Sequence, residues 1–139
     1  MIEVNYVAVV IAAIGAMVVG FFWYSKAFLG KPWMKLMGYT DESMEKAKKG
    51  MGKLYVLSFL LSLVTAYLLS HVMTMSQYFY GFEDVPTGLT SAFWMWLGFI
   101  MPVQATEVIF GGKKWSLFGI NTGYQLAALL LMGIILGVL

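Results

Sequence analysis

Four apolar runs dominate this chain and leave few folds open to it. They lie near 4–28, 54–75, 88–110 and 116–138. A helix needs roughly 20 apolar residues to cross the hydrocarbon of a bilayer, so each run predicts one transmembrane helix. Composition agrees. Of 139 residues, 60% are hydrophobic and 12% charged, whereas soluble domains average about 45–50% apolar and about 25% charged. The expected fold is an all-α membrane protein: a single four-helix transmembrane domain over residues 1–139, plus a short interfacial helix in the polar segment 34–52. No basic stretch precedes the first run, whose flank is Met1-Ile2-Glu3. That predicts a retained helix rather than a signal peptide.

The charges assign a side to each connection. Seven of the nine lysines lie between Lys26 and Lys53, and the other two are Lys113 and Lys114. The connection near 76–87 carries Glu83 and Asp84 and no lysine. Lysine excess marks cytoplasmic loops. The sequence therefore predicts a protein of the cytoplasmic (inner) membrane with connections one and three inside and both termini external. The bilayer is the first expected partner. With no cysteine and no arginine, thiolate chemistry and the bidentate phosphate fork are both excluded. Neither nucleic acid, a metal nor a cofactor is expected.

Residue types within the runs suggest packing faces and one polar cluster. The first run carries Ala8, Ala12 and Ala16 at four-residue spacing and ends in an interfacial group that includes Trp23, Tyr24 and Lys26. In segment 34–52, Thr40 is placed to cap a short helix whose acids precede its lysines. Met34, Leu36, Met37 and Met44 are suited to lie on the membrane surface. In the third run, Pro102 predicts a kink. Gln104 and Glu107 share a helix face, and Glu107 is the one acid inside a predicted span. In the fourth run, Gly119, Gly123, Gly133 and Gly137 fall within an arc of about 80° at about 100° per residue, which predicts a close-packing face within the chain or between copies. Asn121 and Gln125 lie on another face at the depth of Gln104 and Glu107. These four, with Tyr124, are expected to form a polar cluster near the cytoplasmic side, and Trp23, Tyr24 and Lys26 are further ligand-binding candidates. His71, the single histidine, is read as an interfacial hydrogen-bonding group.

A repeated hexapeptide adds a topological expectation. Phe28-Leu29-Gly30-Lys31-Pro32-Trp33 and Phe110-Gly111-Gly112-Lys113-Lys114-Trp115 both close an apolar run. Aligned, they superpose the first run on the third and suggest two parallel helical-hairpin repeats. Shared demands at a membrane interface are the competing explanation.

Val4-Asn5-Tyr6, Trp23-Tyr24-Ser25, Gly30-Lys31-Pro32-Trp33-Met34, Gly111-Gly112-Lys113, Gly123-Tyr124-Gln125-Leu126 and Met132-Gly133-Ile134-Ile135-Leu136-Gly137 together resemble the small prokaryotic membrane family called domain of unknown function 1761. The resemblance covers nearly the whole chain. It implies a four-helix membrane protein and brings no activity with it. Lys26 stands after Trp-Tyr-Ser where relatives more often carry proline.

Three functions stay open from sequence. The favoured one is small-ligand binding or transport, with a homo-oligomer expected for transport because four helices are few. The alternative is a structural or accessory subunit of a membrane complex that uses segment 34–52. The third is an intramembrane lipid-modifying enzyme, against which stands the lack of a paired carboxylate or a nucleophile–base pair.

Overall fold

The computed structural model describes residues 3–139, and the regular elements among them are helical. Met1 and Ile2 of the N-terminal flank lie outside the described residues. The elements are α1 (Tyr6–Trp23), α2 (Gly30–Met37), α3 (Asp41–Ala47), α4 (Met51–Tyr80), α5 (Asp84–Met95), α6 (Met101–Gly111) and α7 (Trp115–Val138). A 3₁₀ turn at Lys48–Gly50 joins α3 to α4, and a π-turn at Trp96–Ile100 joins α5 to α6. Four helical stretches are long and apolar enough to cross a membrane: α1, α3–α4, α5–α6 and α7.

The long helices form a ring in chain order. α1 packs on α4 and α7, and α5 packs on the same two helices. The interior of the ring is built from small residues. Among the described residues, half of the fourteen buried apolar ones are alanine, and Ala12, Ala13, Ala66 and Ala92 are completely buried. Small side chains let backbones approach closely, which gains dispersion contacts where lipid supplies no hydrophobic drive between helices. The closest approach joins α5 and α7. A Cβ on either Gly88 or Gly133 would run into the backbone carbonyl of the other. One turn away, a Cβ on Gly137 would sit 2.8 Å from the Asp84 carbonyl oxygen.

Large apolar side chains point outward instead, among them Val18, Leu61, Phe99 and Ile109. Exposed aromatics gather at both ends: Tyr78, Phe79, Tyr80 and Phe82 at one, Phe21, Phe22, Tyr55, Phe110 and Trp115 at the other. Tyr55 and Tyr78 lie 23 residues apart on α4 (78 − 55). At about 1.5 Å per residue that separates them by about 35 Å, close to a hydrocarbon layer of about 30 Å with its interfaces.

The helix ends correct several sequence expectations. The first helix stops at Trp23 rather than near 28, because the chain winds into a tight loop. Tyr24 N–H donates to Gly20 O, Ser25 N–H to Phe22 O, and Leu29 N–H returns to Trp23 O at 3.1 Å. The second helix extends beyond 54–75 at both ends, and the third begins four residues before 88, with Asp84 in its first turn. Segment 34–52 holds the expected short helix behind a Thr40 cap, here α3, together with the end of α2. Gly38, left-handed at φ 76°, ends α2, and Thr40 starts α3 with a reciprocal cap, its hydroxyl accepting from Ser43 N–H while Ser43 Oγ accepts from Thr40 N–H. Pro102, where the sequence predicts a kink, lies just beyond the π-turn. Having no N–H to give and a ring that clashes one turn back, it is accommodated by the wider turn, which closes through Met101 N–H to Trp96 O.

The glycines of α7 do not share one packed face. Gly133 and Gly137 meet α5 and Gly123 meets the Trp23 ring, while nothing approaches Gly119 within 4 Å. The two hexapeptides also differ in conformation. Gly30 opens helix α2, whereas Gly112 is the left-handed cap (φ 69°) that ends α6. Exchanging the α1–α4 hairpin for the α5–α7 hairpin nonetheless preserves the neighbours around the ring.

Candidate functional site

At the lysine-rich end, one turn of α7 receives hydrogen bonds from two other helices. Trp23, the last residue of α1, donates from Nε1 to Ile120 O at 2.9 Å. Tyr24 donates its hydroxyl to Asn121 Oδ1 at 2.8 Å. Trp96, where the π-turn begins, donates from Nε1 to Thr122 O at 2.8 Å. A helical carbonyl has a second lone pair for such a donor, so the α7 backbone ladder need not break. Tyr124 completes the set by donating to Ala16 O at 3.3 Å.

Packing explains the residue choices. The Trp23 ring lies over Gly123, where a Cβ would come within 3.0 Å of it. The Tyr124 ring lies against Gly20 in the same way, at 3.3 Å. Tyr24 makes edge contacts with the rings of Tyr124 and Trp33, their centroids 5.4 and 5.5 Å away. Trp33 in turn reaches Tyr39 at 5.4 Å. The loop beneath is equally tight. Ser25 Oγ donates to Phe22 O at 2.7 Å and Ser25 O accepts from Gly30 N–H at 2.8 Å. A Cβ at Gly30 would lie 2.6 Å from that same Ser25 oxygen. Trp-Tyr-Ser and Gly-Lys-Pro-Trp are therefore halves of one folded corner.

Two cavities flank this corner, and Lys26, Met34 and Asp41 line both. Lys26 Nζ and Asp41 Oδ1 form an ion pair at 3.1 Å. One cavity, of about 170 Å³, is walled by Tyr24, Trp33 and Met44 with Glu45 and Lys48 at its edge. The other, of about 490 Å³, adds Lys31, Lys35, Tyr39 and Thr40. Glu45 accepts a hydrogen bond from Lys48 at 2.7 Å, and this holds the Lys48 ammonium above the usual lysine range.

Of the residues singled out from sequence, Trp23, Tyr24, Asn121 and Tyr124 come together here, and Lys26 borders the cavities. Glu107 instead accepts from Lys113 Nζ at 2.8 Å, with both side chains more than half exposed. Gln104 and Gln125 are half-buried and make no side-chain hydrogen bond among the described residues. No hydrogen bonds join Gln104, Glu107, Asn121 and Gln125 into one network. Tyr24 takes the acceptor of Asn121, and Lys113, two residues beyond the end of α6, folds back onto Glu107. His71 Nδ1 lies 3.0 Å from Tyr67 O, near the other end.

Sequence reasoning passed over Trp33, Tyr39 and Trp96 as site builders. Trp33 was legible inside the repeated hexapeptide. Nothing in the linear sequence pairs Trp96 with Thr122, because that contact depends on the π-turn.

Comparison with known proteins gives one match. The family described as "Protein of unknown function (DUF1761)" matches residues 7–137. No curated protein and no solved structure matches the chain. With a match that runs from the first turn of α1 to the last turn of α7, this chain belongs to the DUF1761 family.

Proposed function

We propose that this chain is an integral protein of the cytoplasmic membrane that binds a small amphiphilic ligand at the aromatic corner, with its lysine-rich end in the cytoplasm. The observation that carries this reading is the pair of open cavities walled by Tyr24, Trp33 and Tyr39 on a scaffold fixed by the bonds to residues 120–122 of α7. Aromatic walls with a few charged groups suit a ligand that is partly apolar and partly polar. The orientation is supported by all nine lysines lying in connections one and three or the helix ends beside them. The middle of the ring is filled by Ala12, Ala66 and Ala92, which favours binding at the end of the bundle over passage through a single copy. Transport would then fall to a homo-oligomer.

Native mass spectrometry of protein released from nanodiscs of native membrane tests the reading. A reproducible adduct is expected, lost in Met34→Trp, which sets a bulkier ring on the wall that the two cavities share, and kept in Glu107→Gln. Carriage of bulk lipid alone, unchanged by Met34→Trp, would overturn it.

A second reading, an accessory subunit that docks a partner, is favoured by α3, no residue of which is buried. Deleting residues 34–52 should then abolish partner co-purification.

A further inference from the structure

The 490 Å³ cavity carries a charge arrangement that the fold does not neutralise. Lys31 and Lys35 stand four residues apart on α2 and both line it. Like charges at that spacing repel and destabilise a helix. Lys26 is paired with Asp41 and Lys48 with Glu45, but Lys31 and Lys35 have no acidic partner among the described residues. Tyr39 and Met34 give the same cavity an apolar wall, and Trp33, in edge contact with Tyr24 and tilted against Tyr39, supports it. Phe28 just before α2 and Phe21 and Phe22 at the end of α1 are exposed, as suits aromatic rings at the headgroup level of a bilayer.

We propose that this cavity binds a phosphate-bearing anion, with Lys31 and Lys35 holding the phosphate and Tyr39 and Met34 contacting its apolar part. The proposal rests on the reading of the corner as a ligand site and names the chemistry of that ligand. An ammonium recognises phosphate as a point charge without the geometry of a guanidinium fork, and three lysines around one cavity supply that charge. Lys26 is the third. Asp41 holds it at 3.1 Å, so Asp41 competes with the anion for the same cation. Removing the Asp41 charge should therefore strengthen binding, which a purely structural role for the ion pair does not predict.

The test uses the full-length protein in nanodiscs of phosphatidylcholine doped with phosphatidic acid, with retained lipid read by native mass spectrometry. Lys31→Gln/Lys35→Gln should lower phosphatidic acid retention by about tenfold or more, because each lysine near an anionic headgroup adds attraction. Asp41→Asn should raise it several-fold. Lys49→Gln/Lys53→Gln, which removes the same net charge outside the cavities, should leave it unchanged. Inorganic phosphate or glycerol phosphate added at millimolar concentration then distinguishes the source. Displacement of the lipid assigns the site to a soluble phosphate, and no displacement assigns it to a lipid headgroup. Equal losses in the two double variants would show diffuse lysine charge and overturn the proposal. A neutral adduct that is sensitive to Met34→Trp, without preference for phosphatidic acid, would overturn the phosphate chemistry and leave the binding site standing. No specific adduct of either kind would remove both.

Discussion

A methyl group added at Gly133 has nowhere to go, whereas one added at Gly119 meets nothing within 4 Å. Gly133→Ala forces α7 away from α5 against backbone atoms that cannot rotate aside. It should cost about 1–3 kcal/mol, as overpacking typically does. Gly119→Ala should be neutral or slightly stabilising, because glycine in a helix interior is worse than alanine by roughly 0.5–1 kcal/mol. Thermal melts of both variants in one detergent check this, and equal melting temperatures would contradict the packing described. Tyr24 and Asn121 are open to a double-mutant cycle with Tyr24→Phe and Asn121→Ala. Hydrogen bonds between membrane helices average about 0.6 kcal/mol and reach about 1.7. A coupling in that range is expected, and none would mean the 2.8 Å bond adds nothing. The four-glycine arc in the sequence was a fair guide to small-residue packing, but periodicity ranks positions on a face and does not say which of them meet a neighbour. Gly88, the partner of Gly133, belongs to another helix and has no such signal.

The four long helical stretches were legible in number and order, and less so at their ends. Runs of apolar residues set the four long helices, because only length and hydropathy are needed for that. Their boundaries depend on local bonds, such as Leu29 N–H reaching back to Trp23 O, that hydropathy does not report. The π-turn at Trp96–Ile100 is the clearest case. Such a turn is in effect a one-residue insertion in an α-helix, so projection at 100° per residue fails across it, and whether Gln104 and Glu107 face α7 could not be read from the sequence. Deleting Gly98 together with Pro102→Ala should close the turn into an α-helix without rotating α6. The chain has no native cysteine, so single cysteines report the facing. Val108→Cys, at a buried position, should stay slow to react with N-ethylmaleimide in detergent, and Ile109→Cys, at an exposed one, should react fast. A reversed order would show that α6 had turned.

At the scale of the whole molecule, the ring presents an acidic end at Glu83 and Asp84 and a lysine-rich end. Single cysteines at Lys49 and Phe82, probed with a membrane-impermeant maleimide in intact cells, should label only at position 82. Labelling at 49 alone would invert the orientation. The expected sidedness rests on lysine placement alone, and this labelling tests it. The corner was half legible. Trp23, Tyr24, Asn121 and Tyr124 were chosen as candidates by residue type, but their union with Trp33 and Tyr39 needs the tight loop at Ser25 and the break between α2 and α3 at Gly38. The most direct measurement is photo-crosslinking in native membranes, with benzoylphenylalanine placed at Tyr39 in the corner and, separately, at Tyr78 among the exposed aromatics of the opposite end. If the corner is a ligand site, position 39 captures one discrete amphiphile and position 78 captures the bulk lipid mixture. The same lipid mixture at both positions would contradict it.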